Sequence, residues 1–174
     1  MKILAIDTAT EACSVALLNG NVKDVIFEIC PQQHSQRILP MIDKLLSKHA
    51  INITDLDALA YCRGPGSFTG VRIATGIVQG LALGADLPVI EVSTLAAMAQ
   101  ENYMQHGYLI TKVLIDARMQ EVYFGHFQVH NGIVAELQGE AVLTPAEAVA
   151  KFAEISDDNE AVGRAGTGWS AYSG

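Results

Sequence analysis

The chain has 174 residues, half of them hydrophobic, a size that fits one large domain or two small ones around a buried core. Nineteen acidic against eleven basic residues leave a net charge of −8 with no Lys/Arg run, so independent binding to a nucleic-acid backbone is not expected. Cys13, Cys30 and Cys62 are odd in number, form no Cys-x-x-Cys pair and sit in apolar runs, which fits reduced thiols in the cytoplasm, and the apolar start Met1 to Asp7 is too short for a signal or membrane segment.

Residues 2 to 7, 13 to 18 and 22 to 30 read as strands, with Asn19-Gly20 as a hairpin turn signal. From Ser35 the period changes. Ile38, Ile42, Leu45 and Leu46 fall on one face of a helix and Lys44, Ser47 and Lys48 on the other, with Pro40 near its first turn as a source of a kink. Asp57 to Cys62 is a short buried strand, Gly64-Pro65-Gly66 leads into a helix beginning near Ser67, residues 88 to 92 form a strand and 94 to 105 a third helix. A meander that runs into alternating helix and strand implies an α/β fold with a mixed sheet.

The pattern then starts over. Lys112 to Arg118 echoes Lys2 to Thr8, strands follow near 121 to 129 and 133 to 142, and Asn131-Gly132 stands between them as Asn19-Gly20 does in the first copy. A helix over Pro145 to Ile155 with Thr144 as its N-cap, and a strand near 160 to 163, continue the second copy. The domains expected are 1–108, ββ(β)αβαβα, and 109–174, a related unit. By the template of the first copy a helix, a strand and a helix are missing after Gly174, so the chain reads as cut short in its second domain, with exposed core unless another element covers it.

Four features carry chemistry. Gly64-Pro65-Gly66-Ser67-Phe68-Thr69-Gly70 opens a helix after a strand, either as a tight turn with Ser67 as N-cap or as an anion site bracketed by Arg63 and Arg72. It is neither a P-loop nor a dinucleotide fingerprint. The helix that follows has only Thr75 and Gln79 as polar side chains between Ile73 and Ala85, and it carries Gly76, Gly80 and Gly84 at a cost of about 3 kcal/mol relative to alanine. A flat glycine stripe lets another helix backbone come close: one face packs on the chain's own sheet, and the other is available to the 35–48 helix and to a second protein, unless both are satisfied internally.

Asp7, followed by Thr8 and Thr10, and Asp116 at the matching strand end fit either a hydrated metal beside a nucleotide phosphate, in a cleft between related domains, or the capping of turns. His126 and His130 lie roughly 13 Å apart on one strand face and cannot share a zinc. No spacing supports Ser67 with His34 or His106 as nucleophile and base, and a capping serine is the simpler assignment.

Together, Ile6-Asp7-Thr8-Ala9-Thr10, the His34-Ser35 to Leu39-Pro40 segment, Gly64 to Arg72, and Ile115-Asp116-Ala117-Arg118 resemble the TsaB (YeaZ) family of tRNA threonylcarbamoyladenosine biosynthesis proteins. The resemblance spans nearly the whole chain and implies an actin-like, sugar-kinase-like (ribonuclease H-like) fold of two duplicated ββ(β)αβα domains with mixed sheets. It also implies partners: the catalytic subunit TsaD, which transfers the threonylcarbamoyl group to an adenosine beside the anticodon, the ATPase TsaE, and a homodimer in the absence of TsaD. TsaD holds its metal through His-x-x-x-His, and here the same register reads Thr94 and Met98, so the resemblance implies a non-catalytic subunit with no metal. No cofactor is expected on this chain alone, with ATP or ADP a ligand of the assembled complex. The expected partner and dimer interface comprises Ile38, Met41, Leu45, Arg72, Ile73, Gly76, Ile77, Gly80 and Leu81, and the candidate nucleotide site comprises Asp7, Thr8, Thr10 and Asp116.

Overall fold

A computed structural model describes residues 1–155 and 161–172 as two compact units, Met1–Ser93 and Thr94–Gly174. In the first, β1 (Lys2–Asp7), β2 (Ala12–Asn19) and β3 (Val22–Ile29) form an antiparallel meander. Then come α1 (His34–Lys48), β4 (Ala58–Cys62), α2 (Phe68–Ala85) and β5 (Val89–Val92). The strands β4 and β5 add in parallel, giving a mixed sheet in the order β3-β2-β1-β4-β5. The α1 helix runs unbroken through Pro40.

The second unit opens with α3 (Thr94–His106), followed by β6 (Ile110–Arg118), β7 (Glu121–His130), β8 (Ile133–Leu143), α4 (Pro145–Ala153), β9 (Val162–Ala165) and the short α5 (Gly168–Ala171). Its sheet, β8-β7-β6-β9, repeats the order and strand sense of the first. The fold is thus a mixed α/β fold with two related mixed sheets. Thr144 caps α4 by accepting the Glu147 N–H, and Glu147 reaches back to the Thr144 N–H. Residue 160, the first of the strand expected near 160 to 163, lies outside the described residues.

Two boundaries differ from the expectation. The 94–106 helix, placed by chain order in a first domain ending at 108, packs through Leu95 and Ala99 against Val113, Ile115 and Phe127 of the second sheet. Its apolar residues follow the partner that buries them, not the order of the chain. The first hairpin turns at Gly20-Asn21, because Asn19 pairs with Val22, whereas Asn131-Gly132 is the two-residue loop expected, with both residues at positive φ.

The core of the first unit joins one face of its sheet (Leu4, Ile6, Val15, Leu17, Leu59) to Ile38, Met41, Ile42 and Leu45 of α1 and to Ala74 and Val78 of α2. Side chains alternate across a strand, so Val25, Phe27 and Ile29 of β3 point to the opposite face and are 57 to 62% exposed. Ion pairs fix α1 along the sheet edge. Arg37 grips Glu28 with two hydrogen bonds of 2.8 and 2.7 Å, and Asp24 accepts from Lys48 Nζ at 2.6 Å and lies 2.7 Å from His49 Nε2.

The Lys48 and His49 hydrogen bonds hold the Asp24 carboxyl down at about 2. A carboxylate depressed in the folded state stabilises it above its unfolded value, near 3.9, and loses that contribution as pH falls through the folded value. Asp24→Asn should therefore lower the urea midpoint at pH 7. Between about pH 4 and 2 the wild-type chain should lose more stability than the variant, so that the two midpoints converge.

Candidate partner interface and strand-end loops

The glycine-rich turn is built around the end of β1. Ser67 donates its N–H to the Ala9 carbonyl at 2.7 Å, and Thr8 Oγ1 donates to the Gly70 carbonyl at 2.7 Å. Contact this close leaves no room for side chains: a Cβ at Gly66 would overlap the Ala9 carbonyl oxygen, and one at Gly70 the Thr8 carbonyl oxygen. Ser67 Oγ accepts the Gly70 N–H at 3.3 Å, and the Ser67 carbonyl accepts from Val71. Three of the amides that would cradle an anion are thus spent inside the turn, and Ser67 acts as a cap.

Asp7 and Asp116 do equivalent work in separate units. Asp7 Oδ1 accepts the Ala9 N–H at 2.8 Å, and Asp116 Oδ1 accepts the Arg118 N–H at 2.9 Å, an Asx turn repeated with the duplication. Thr10 Oγ1 accepts the Ala12 N–H, and the Tyr172 hydroxyl donates to Asp116. Asp7, Thr8 and Thr10 therefore lie together beside the glycine turn, whereas Asp116 belongs to the second unit.

His126 is buried, 3.0 Å from Gln138 Oε1 and edge-on to Phe152, while His130 is exposed at the strand end. Among the described residues no three His, Cys, Asp or Glu side chains are grouped to hold a metal ion. Burial, with Cys30 close by, pushes the Cys13 thiol up to about 12, far from a reactive thiolate at neutral pH.

The helices give a different face from the one expected. Ile38, Met41 and Leu45 are at most 2% exposed and belong to the core, because the apolar stripe of an amphipathic helix turns inward on its own sheet. Ile73, Ile77 and Leu81 are half-buried against that core. What α2 presents outward is Phe68 (72% exposed), Arg72, Gly76, Gln79, Gly80 and Leu83 (88% exposed). A Cβ at Gly76, Gly80 or Gly84 would meet nothing within 4 Å, so the glycines face open space.

The Arg72 guanidinium lies 3.3 Å from the Phe68 ring centroid and donates to the Phe68 carbonyl, a pair fixed in place on the surface. Leu39 of α1 is 50% exposed. By length and apolarity alone α2 would span a bilayer, but Gly70, Ala74 and Val78 are buried in its unit. The exposed Phe68 and Leu83 are not among the residues that the sequence placed on this face. The repeat Phe68, Arg72, Gly76, Gln79, Leu83 at helical spacing was the available signal, and it marks a face without revealing whether anything covers it.

Known proteins match this arrangement. Residues 21–166 fit the model of the family described as TsaD, tRNA N6-adenosine threonylcarbamoyltransferase. The tRNA threonylcarbamoyladenosine biosynthesis protein TsaB of Escherichia coli (strain K12) is 52% identical over 173 residues, 99% of this chain and 74% of that protein. Two solved structures from Pseudomonas aeruginosa each cover 99% of this chain and are covered over 78% of their own length. One, described as YeaZ, is 44% identical with a TM-score of 0.92; the other, described as an uncharacterized protein with similarity to peptidase YEAZ, is 43% identical with a TM-score of 0.93. With its duplicated mixed sheets and its glycine turn closed on the end of β1, the chain belongs to the TsaB family of tRNA threonylcarbamoyladenosine biosynthesis proteins, within the wider family that the TsaD model describes.

Proposed function

We propose that this chain is a non-catalytic scaffold and activating subunit for the threonylcarbamoyl modification of tRNA next to the anticodon, and that it acts by binding TsaD. The observation that carries this is the outward face of α2, which bears an aromatic–arginine pair, an exposed leucine and three glycines with open space above them. Burial at such anchors supplies most of the energy in a protein interface. The match of residues 21–166 to the TsaD family model supports a partner of related sequence.

The resemblance implies that Thr94 and Met98 stand in the register of TsaD's two metal-binding histidines, and neither is an imidazole ligand. Ser67 is occupied as a helix cap, which speaks against the peptidase label given to one relative. In this reading TsaE supplies ATP hydrolysis, ATP or ADP belongs to the assembled complex, Asp7, Thr8, Thr10 and Asp116 are the groups of this chain nearest in kind to a nucleotide site, and the setting is the cytoplasm. The chain touches neither membrane nor tRNA on its own, and it forms a homodimer when TsaD is absent.

Size-exclusion chromatography with light scattering, on the chain alone and mixed with TsaD, tests this. A one-to-one complex and stimulation of tRNA modification are expected. A chain that ignores TsaD, or that hydrolyses ATP by itself and stops doing so as Asp7→Asn, would overturn the assignment.

A further inference from the structure

Two of the three cysteines form a buried pair. In the β2–β3 ladder Glu28 stands opposite Cys13, and Cys30 follows it two residues later, so Cys30 lies diagonally across from Cys13 on the same face of the sheet. The ladder reaches that far, because the Cys30 N–H donates to the Glu11 carbonyl at 3.1 Å. Both side chains belong to the core of the first unit, both are free thiols, and they are close enough to share a hydrogen bond. Cys62, on β4, comes one residue after the buried Tyr61 and so faces the other side of the sheet.

Either thiol alone would be an ordinary small core residue. Their surroundings set them apart. Cys13 is fully buried, and burial holds its thiol protonated at neutral pH, whereas Cys30 keeps 7% exposure and is followed by the exposed Pro31 and Gln32. The Cys30 carbonyl accepts the N–H of Gln33, the N-cap of α1, at 3.0 Å, and the Arg37 guanidinium in the first turn of that helix is within electrostatic reach of both sulfurs. An attacking sulfur needs access and a neighbouring cation, and a resolving sulfur needs only to be adjacent, so the roles divide with Cys30 first and Cys13 second.

We propose that Cys13 and Cys30 are a redox pair, which a hydroperoxide converts from two thiols to one disulfide that ties β2 to the entry of α1. Cys30 Sγ attacks a peroxide oxygen and the O–O bond breaks. Cys30 becomes a sulfenic acid, and its proton passes to the departing oxygen, which leaves as water when the oxidant is hydrogen peroxide. Cys13 Sγ then attacks Cys30 Sγ; the S–S bond forms, the S–O bond breaks, and the Cys13 proton leaves with the hydroxyl as a second water. Two thiols lose two electrons and the peroxide gains them. The bond closes the β2–β3 hairpin just ahead of α1, so the oxidised first unit is harder to unfold, and a dithiol reductant restores the open form.

Hydrogen peroxide added to the folded chain, followed by an acid quench and peptide mapping without reductant, tests this. The expected map joins Cys13 to Cys30, leaves Cys62 outside the bond, and reverts with dithiothreitol. The oxidised chain should melt about 5 °C or more above the reduced one. Cys13→Ala retains Cys30 and should accumulate a sulfenic acid there that dimedone captures, whereas Cys30→Ala should leave Cys13 unlabelled. Circular dichroism of each variant is read first, because Cys13 is fully buried; if Cys13→Ala does not fold, the wild-type map and the Cys30→Ala chain still decide. A folded wild-type chain whose thiols all survive peroxide, a bond that uses Cys62 instead, dimedone labelling of Cys13 in the Cys30→Ala chain, or an oxidised form that melts below the reduced one would overturn the proposal.

Discussion

Gly70→Ala should destabilise the first unit by about 3 kcal/mol or more, although it adds a single methyl group to a helix. The methyl would overlap the Thr8 carbonyl oxygen, and backbone cannot swing aside as the end of a flexible side chain does. The first turn of α2 would have to lift from β1. That breaks the buried bond from Thr8 Oγ1 to the Gly70 carbonyl and strains the one from the Ser67 N–H to Ala9, each of which leaves a polar group unpaired if lost.

Gly76→Ala provides the internal comparison. Its Cβ meets nothing within 4 Å, and alanine is the better helix former by about 1 kcal/mol, so this variant should be as stable as the wild type or more so. Urea unfolding of the two variants should shift in opposite directions. Equal destabilisation of both would mean that the glycine turn is not closed on β1 as described. Gly66→Ala should behave like Gly70→Ala, because it meets the Ala9 carbonyl in the same way.

The contrast among these glycines shows which parts of the fold are legible in a sequence. Element order and type follow from local pattern: the meander, the helix over 34–48 and the repeated strand-end aspartates all rest on residues within a few positions of one another. The duplication strengthens this, since Asp7 and Asp116 reproduce the same Asx turn. What local pattern does not carry is the identity of the packing partner. The α3 helix has the composition of any core helix, and nothing near it in the chain says that Val113, Ile115 and Phe127 will bury it.

The outward face of the helices was hard to read for a related reason. Ile38, Met41 and Leu45 are the most regular apolar positions of α1, and regularity of that kind marks the side a helix turns toward its own sheet. The outward face of α2 is a mixture of an aromatic, an arginine, three glycines, a glutamine and a leucine, and no simple period of hydrophobicity picks it out. Gly80 and Gly70 look alike in sequence as glycines of one helix. Only the neighbours, open space for one and the Thr8 carbonyl for the other, separate a surface glycine from a structural one.

Gly80→Leu should abolish the complex with TsaD, weakening it by about a hundredfold or more, while the unit stays folded. The new side chain points where no atom of the unit stands within 4 Å, so it costs nothing internally and relieves about 1 kcal/mol of glycine penalty in the helix. For a partner backbone that approaches over the glycines, the same side chain is a protrusion at the centre of the contact. Leu45→Ala is the necessary opposite: Leu45 is fully buried in the core, so its truncation should destabilise the unit by about 2 to 5 kcal/mol without altering the outward face. Below its melting point the Leu45→Ala chain should still bind TsaD with little change in affinity. Melting curves together with isothermal titration against TsaD distinguish the two. If Gly80→Leu bound normally, or if Leu45→Ala lost affinity while remaining fully folded, the contact would lie on some face other than the one that α2 leaves open.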